Sequence, residues 1–255
     1  MKTLTLAALS AAVALLTGVS AAHADDGSAQ QIRVGWRGVT GSGTLQSETR
    51  AVSGFQAITA KGSVKLVLRQ GAREGLELRA DDNLLPLIET RVVDRGGVPT
   101  LEIGTKDGAS YSSRNAVVAT IDLVTLRTLV LAGSSDLVCE ALKTPALQIR
   151  VSGSGNLKLH QLTVDELKLS VSGSGNAEFS GRATTVGLRI AGSGDADTRA
   201  LEADDVAVSV AGSGDVTVNA RKTLSVSVAG SGSVAYTGAA AVTSSIVGSG
   251  RVKKL

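Results

Sequence analysis

The sequence predicts an all-β protein folded as a parallel β-helix, a solenoid with coils of 18–20 residues, preceded by an irregular β-rich N-terminal part. Two observations predict this fold. A Gly-Ser turn recurs seven times at a nearly constant period, with its first glycine at positions 133, 153, 173, 192, 212, 230 and 248. On both sides of each turn, aliphatic residues alternate with polar or small ones, which is the pattern of half-buried strands.

The alternating residues fall into columns when the copies are aligned on the turn glycine. From the second copy to the sixth, the positions two, four and six residues before it hold only Val, Leu or Ile. Cys139 lies six residues after its glycine, in a column that also holds Leu159 and Phe179. Because strands of stacked coils lie about 4.8 Å apart, such columns would form one continuous core. We therefore expect Cys139 to be a buried structural thiol.

The repeat divides the chain into four segments. Residues 1–24 combine Lys2, an apolar run and an AHA motif, which predicts a signal peptide cleaved after Ala24. Residues 25–50 form a lead-in with a first strand, 51–130 irregular first coils or a cap, and 131–255 the regular β-helix. The signal peptide predicts export to the periplasm or beyond the cell, and no transmembrane segment is expected in the mature chain.

Composition excludes several classes of function. Cys139 is the only cysteine, so the chain cannot form an internal disulfide. His160 is the only histidine after residue 24, which argues against most metal sites and against Ser-His-Asp catalysis. The formal net charge is only +3 and aromatic residues make up 2% of the chain, so a nucleic-acid partner is not expected.

One column of oxygen-bearing side chains lies three residues after the turn glycine and is a candidate binding ladder. It contains Asp136, Asn156, Asn176, Asp195 and Asp215. Asp195 and Asp215 would be stacked neighbours, and close carboxylates repel each other unless a cation or a proton intervenes, so they are candidate Ca²⁺ ligands. The alternative, which we favour, is that Asp and Asn suit tight turns and form hydrogen bonds along the stack.

A second candidate site is the acidic group formed by Asp195, Asp197, Asp204 and Asp205. Since β-helices host many carbohydrate-active enzymes, this group would be the acid and base of a polysaccharide lyase or hydrolase. Such sites also use aromatic platforms under the sugar, and the chain has only five aromatic residues. We favour a charged, solvated surface and assign no catalytic residue.

The outward face before each turn carries small side chains in several copies. They are Ser170, Ser172, Ala207, Ser209, Ala211, Ser225, Ser227 and Ala229. A flat surface of Ser and Ala allows close approach by a polymer chain, another sheet or a second copy of the protein. An ordinary solvated sheet face is the alternative.

Several stretches also resemble a known bacterial family. They are AVSGFQAITAKGSVKLVLRQG (51–71), DDNLLPLIETRVVD (81–94), the serial GSGN and GSGD turns, and SVAYTGAAAVTSSIVGSGRV (233–252). Together they resemble the "putative auto-transporter adhesin, head GIN domain" family. The resemblance implies an exported β-helical protein of unknown function, and it brings no catalytic residues to transfer.

These observations lead to three hypotheses. The first is a non-enzymatic exported module that binds a glycan, an envelope polymer or a protein surface through its repetitive face. The second is a carbohydrate-active enzyme that uses the acidic group. The third is a structural rod that assembles from copies of itself, as a homo-oligomer.

Overall fold

The structure is a computed structural model that describes residues 38–255. Within this range it confirms the predicted all-β solenoid of stacked parallel coils with an irregular N-terminal part. The predicted signal peptide (1–24) and the first part of the predicted lead-in (25–37) lie outside the described residues. Among the described residues, no helix has the length and hydropathy of a membrane span.

The chain forms nineteen strands in the range that the structure describes. The N-terminal part contains β1 (Val39–Thr40), β2 (Leu45–Arg50), β3 (Ala57–Gly62), β4 (Val64–Gln70), β5 (Gly75–Asp81), β6 (Ile88–Asp94), β7 (Pro99–Thr105), β8 (Tyr111–Ser112) and β9 (Val117–Leu123), with a short 3₁₀ turn at Leu85–Leu87. The regular stack contains β10 (Thr128–Gly133), β11 (Asp136–Cys139), β12 (Leu142–Gly153), β13 (Asn156–Gly173), β14 (Asn176–Gly192), β15 (Ala196–Gly212), β16 (Val216–Gly230), β17 (Ser233–Thr237), β18 (Ala241–Gly248) and β19 (Arg251–Lys254).

Neighbouring coils of the regular stack pair in parallel, with their corners in register. Gly133 pairs with Gly153, and the same glycine-to-glycine pairing continues through the stack to Gly248. In β12 to β16, the residues two, four and six positions before each glycine are buried. These columns form the core, and Cys139 is buried among them as the sequence predicted.

Glycine is required at the corners by both the backbone and the neighbouring coil. Gly192 has φ = 132°, a conformation that residues with a Cβ rarely adopt. A Cβ at this position would also overlap the carbonyl oxygen of Gly173 in the preceding coil. That oxygen accepts hydrogen bonds of 3.0 and 3.1 Å from the amides of Ser193 and Gly194. The coils therefore touch backbone to backbone at each corner.

The N-terminal part contains one more corner of this kind, which the sequence period did not reveal. β3 and β4 meet at Gly62, which has φ = 92° and pairs with Gly133. On the other side of this coil, β7 and β9 pair in parallel with β3 and β4. The coil at 57–70 therefore lies between the coil at 99–123 and the coil that begins with β10. The order of these coils in the stack therefore differs from their order along the chain.

Antiparallel strands cover the N-terminal end of the stack. β5 pairs with β9, β6 with β7, and β2 with β5, all antiparallel. At the end of β5 the buried carboxylate of Asp81 accepts hydrogen bonds of 2.6 Å from Ser113 Oγ and from Asn115 Nδ2. These bonds lower the pKa of Asp81, with the bond from Asn115 as the largest cause. The cap is thus held by a charged group with satisfied hydrogen bonds.

The C-terminal end of the described structure is more open. Val242 and Ile246 of β18 belong to the inward columns, yet they are 38% and 39% exposed because no further coil is stacked on β18 within the described residues. Ser244, between them, brings a hydroxyl to a column that is aliphatic in the preceding coils. The core ends at this coil.

Candidate functional site

The predicted ladder forms a continuous column along the outside of the corner. The amide of Asn156 donates a 2.9 Å hydrogen bond to Oδ1 of Asp136, and Nδ2 of Asn176 donates one of 3.1 Å to Oδ1 of Asn156. The column continues with the amide of Asp195 bonded to Oδ1 of Asn176 at 3.2 Å, and the amide of Asp215 bonded to Oδ1 of Asp195 at 2.8 Å. Each side chain therefore ties its own coil to the next one.

The two adjacent carboxylates of the ladder, Asp195 and Asp215, are stacked neighbours. The described residues include no group of three or more His, Cys, Asp or Glu side chains arranged to hold a metal ion. Since Ca²⁺ takes about six to eight oxygen ligands, this pair would need backbone oxygens and water to complete the shell. Ca²⁺ binding at Asp195 and Asp215 stays a prediction.

The other three carboxylates of the acidic group each form an ion pair or a hydrogen bond within the protein. Asp204 lies 2.9 Å from Lys222 Nζ, and the hydrogen bond from Lys222 lowers the pKa of the Asp204 carboxyl. Asp205 accepts a 2.6 Å hydrogen bond from Thr223 Oγ1, and Asp197 accepts one of 3.0 Å from the amide two residues later. A general acid needs a raised pKa, so the shift at Asp204 is in the wrong direction for that role.

The aromatic side chains that the structure describes do not form a sugar platform. Phe55 and Phe179 are buried in the core, and Tyr111 and Tyr236 are half-buried against it. Flat, exposed rings are what glycan-cleaving sites usually place under the substrate.

Cys139 and His160 are the remaining groups with chemistry of their own. Burial raises the pKa of the Cys139 thiol to about 11, and its Sγ lies 3.4 Å from the carbonyl oxygen of Ala141. A thiol that stays protonated is a poor nucleophile. His160 is half-buried, with Nδ1 3.4 Å from Ser180 Oγ.

A concave surface crosses the outward side of the strands that precede the corners. We call it the groove face and define it by the residues one, three and five positions before the corner glycines in β3, β10 and β12–β16, together with the adjoining part of β7. One depression of about 420 Å³ spans β12 to β16, and a second of about 480 Å³ spans β7, β3, β10 and β12. Both are lined by Gln148 and Arg150, so they are continuous. Eight strands at about 4.8 Å give the groove face a length of roughly 35 Å.

The small side chains predicted from the sequence do lie on this face. Ser170, Ala207, Ser209, Ser225 and Ser227 line the first depression. Their small size leaves room above the sheet, while their hydroxyl groups can donate and accept hydrogen bonds. The structure thus brings together the predicted small residues in a surface that is concave.

Basic side chains, which the sequence interpretation did not place here, also belong to the groove face. In the column three residues before the corner, Arg150 pairs with Ser170, and Ser170 pairs with Arg189. Lys61 and Lys168 lie in the neighbouring columns. Alignment on the turn glycine contains this information, since Arg150 and Arg189 occupy the same position of their copies.

Gly187 forms the floor of the first depression between Lys168 and Ala207. Its φ is not in the left-handed region, and a Cβ on it would meet its nearest neighbours at 3.9 Å, an ordinary contact distance. The fold therefore does not require glycine at this position, in contrast to Gly192. Glycine in a strand interior often marks a bulge, a tight bend or a close approach by a ligand or another backbone, and the strand register is regular at Gly187.

A family model described as "Putative auto-transporter adhesin, head GIN domain" matches residues 54–240. This range holds the whole groove face and the whole ladder. A comparison with curated proteins gives no match.

Solved structures share the fold over most of the chain. The crystal structure of a "putative adhesin" from Bacteroides fragilis NCTC 9343 is 26% identical, with a TM-score of 0.77, and the match covers 86% of this chain and 100% of that one. A "Putative lipid binding protein" from Parabacteroides distasonis ATCC 8503 is 25% identical, with a TM-score of 0.71 and coverage of 85% and 99%. A "putative adhesin" from the same strain, 24% identical with a TM-score of 0.67 and coverage of 85% and 99%, shows the fold alone.

Proposed function

Because the chain belongs to the family described as "Putative auto-transporter adhesin, head GIN domain", we propose that it is an exported, non-catalytic binding module. Its similar structures bear the names of adhesins and of a lipid-binding protein, which supports binding over catalysis. The proposed ligand is an extended polymer of the cell envelope or of another surface, and it lies along the groove face.

The observation that carries this proposal is the groove itself. It crosses eight strands and is lined by small and polar side chains, and at Gly187 the fold would accept a larger one. A ligand that lies along the stack would meet equivalent positions once per coil. Many weak contacts of this kind add up when ligand and protein are both repetitive. The groove therefore suits a long, regular partner better than a compact small molecule.

The enzyme hypothesis has less support in the arrangement of the acidic residues. Asp197, Asp204 and Asp205 are engaged in hydrogen bonds or ion pairs, and the low pKa of Asp204 keeps it ionised. A lyase or hydrolase would need one carboxyl group that stays protonated near neutral pH, or a base placed beside the sugar.

Retention on an array of glycans and cell-envelope fractions tests the proposal. The purified protein is applied in Ca²⁺ and in chelator, and the retained material is analysed for chain length. We expect selective retention of a polymer whose length does not change. Shortened chains would contradict the non-catalytic role, and a protein that retains no glycan or envelope fraction would contradict the polymer as its ligand.

A matched pair of variants locates the binding surface in the same assay. Gly187→Ile adds a β-branched side chain to the floor of the groove, and Thr217→Ile adds the same side chain to the sheet on the other side of the corner. The proposal predicts loss of retention for Gly187→Ile and normal retention for Thr217→Ile. The reverse pattern would move the binding surface off the groove face.

A further inference from the structure

We propose that the centre of the groove face, formed by Arg150, Gly187 and Arg189, binds the carboxylate groups of a linear acidic polysaccharide. This inference rests on the proposed function and deepens it by naming the ligand class. The groove determines the direction in which the polymer lies, and the two arginines bind its carboxylates. Gly187, which has no side chain, leaves room for the polymer above the sheet.

The spacing of the arginines fits a regularly charged polymer. Arg150 and Arg189 occupy one column with Ser170 between them, so they are two strand spacings, about 10 Å, apart along the stack. This distance is comparable to the repeat of a disaccharide in an extended chain. A guanidinium group presents paired N–H donors that match the two oxygens of a carboxylate. Two such groups in line would hold two acidic sugars of one chain.

Both guanidinium groups are available to a ligand. Arg150 and Arg189 are exposed, and neither forms an ion pair with any of the residues 38–255. The same range contains paired arginines on other surfaces, such as Arg69, which contacts Asp122 at 2.8 Å. An unpaired cation costs little in water, but two of them in a concave surface attract anions more strongly than separated charges do.

The rest of the groove face offers no free acidic group to neutralise the two arginines. Its one buried acid, Glu102, is bound by the guanidinium groups of Arg91 and Arg95. Lys168 contacts Glu166 at 2.5 Å, at the margin of the face. Lys61, further along the same surface, forms no ion pair within the described range. The groove therefore carries a net positive charge from β3 to β14, while its positions in β15 and β16 are uncharged.

The sheet on the other side of the corner carries charges of both signs. The ladder carboxylates Asp136, Asp195 and Asp215 lie there. The next outward column holds Lys158, Glu178 and Asp197, and Lys158 contacts Glu178 at 3.2 Å. A polyanion therefore meets the unpaired arginines on the groove face and carboxylates at the corner, which favours the groove face as its binding surface.

The chemistry of the lining favours a sugar polymer among the anions. Ser170, Ser209 and Ser227 bring hydroxyl groups between and beyond the arginines, which suits the hydroxyl groups of a sugar ring. The strands beneath are paired on both sides, so the face cannot accept a peptide as an added strand. A nucleic acid would gain from exposed aromatic rings, and the lining of the groove has none.

Binding of polygalacturonate, a linear polymer with one carboxylate per sugar, tests the inference. Its fully methyl-esterified form has the same backbone without the charges and is the matched ligand control. Dextran sulfate reports binding that depends on charge alone. We expect saturable binding of polygalacturonate, at least about tenfold weaker binding of the ester, and weakening by salt.

Charge-neutral variants test the two arginines. Arg150→Gln with Arg189→Gln is expected to weaken binding of polygalacturonate by about tenfold to a hundredfold, the range for loss of hydrogen bonds between charged groups. The control is Arg182→Gln with Arg199→Gln, which removes the same charge from exposed residues outside the groove face. Both double variants replace exposed side chains, and thermal unfolding confirms that each is folded.

The outcomes separate this inference from the proposed function. Equal binding of the charged and esterified polymers would overturn the inference and leave a binding module for neutral glycans. Equal losses in the two double variants, or stronger binding of dextran sulfate, would show attraction by net charge alone and would also overturn it. If Arg150→Gln with Arg189→Gln changed the oligomeric state instead, the groove face would be an interface between copies of the chain.

Discussion

The backbone amide of Asp215 donates a 2.8 Å hydrogen bond to Oδ1 of Asp195, one coil earlier in the stack. The same contact, from the amide of one coil to a side-chain oxygen of the coil before, joins Asn156 to Asp136. A residue type that tolerates a tight turn therefore also links the coils. The oxygen atom, which Asp and Asn share, is what this contact requires.

Substitution of Asp195 tests the role of the ladder. Asp195→Ala removes the acceptor and is expected to lower the free energy of unfolding by about 1 kcal/mol. Asp195→Asn keeps an oxygen at the same place, so its cost should be close to zero. Urea unfolding of the two variants measures the difference.

A cation between Asp195 and Asp215 would reverse this expectation. In that case Asp195→Asn would be as costly as Asp195→Ala in Ca²⁺, and Ca²⁺ would raise the Tm of the unsubstituted protein but not of the variant. Chelator would remove the difference. Such a result would show that Asp195 and Asp215 bind a metal ion in addition to linking the coils.

Two glycines in the same strand should respond in opposite ways to alanine. Gly192→Ala forces a Cβ against the carbonyl oxygen of Gly173 and is expected to cost about 2–4 kcal/mol of stability. Gly187→Ala has room for its methyl group and is expected to be neutral or to stabilise by about 0.5–1 kcal/mol. Thermal unfolding measures both. A large loss at Gly187 would show that the fold, and no ligand, requires glycine there.

Stability of the N-terminal cap should depend on pH through Asp81. Hydrogen bonds from Asn115 and Ser113 lower the pKa of Asp81 in the folded state, so its contribution is present above the unfolded pKa of about 3.9. The contribution is lost as the pH falls through the folded value. Asp81→Asn should therefore have a lower Tm than the unsubstituted protein at pH 7, and the two Tm values should converge below about pH 4. A difference that is constant from neutral to acid pH would contradict the assignment to this carboxylate.

Cys139 should resist thiol reagents for as long as the protein is folded. Its pKa of about 11 leaves almost no thiolate at neutral pH, and the core shields the sulfur from the reagent. Mass spectrometry after treatment with a maleimide should show no adduct in buffer and complete reaction in urea. Rapid labelling of the folded protein would mean that this part of the stack opens easily.

Much of the fold can be predicted from the sequence because the same turn and the same buried columns recur in every regular coil. Each copy carries its own turn glycine and its own inward columns, so seven copies report on the same structure. The corner at Gly62 could not be recognised from the repeat. Its turn, KGSV, contains one glycine, and the next corner, at Gly133, is 71 residues further along the chain. The position of β7 and β9 beside β3 and β4 has no local signal, since it depends on which distant strands pair.

The candidate site was predictable in part. The small residues of the groove face occupy the three columns one, three and five residues before the turn glycine and were visible from the alignment of copies. The role of Gly187 was not, because only coordinates distinguish a glycine with space for a side chain from one without, such as Gly192. The charge difference across the corner required knowledge of which columns face the same side, which the register of the strands supplies.

The most direct test of the account is to map where a bound polymer covers the protein. Because Cys139 is buried, a single new cysteine can be labelled selectively: Ser209→Cys on the groove face, or Thr217→Cys on the sheet across the corner. If the polymer binds in the groove, saturating polygalacturonate slows maleimide labelling at position 209 and leaves the rate at position 217 unchanged. Unchanged labelling at 209, or protection of 217 instead, would contradict the groove face as the binding surface.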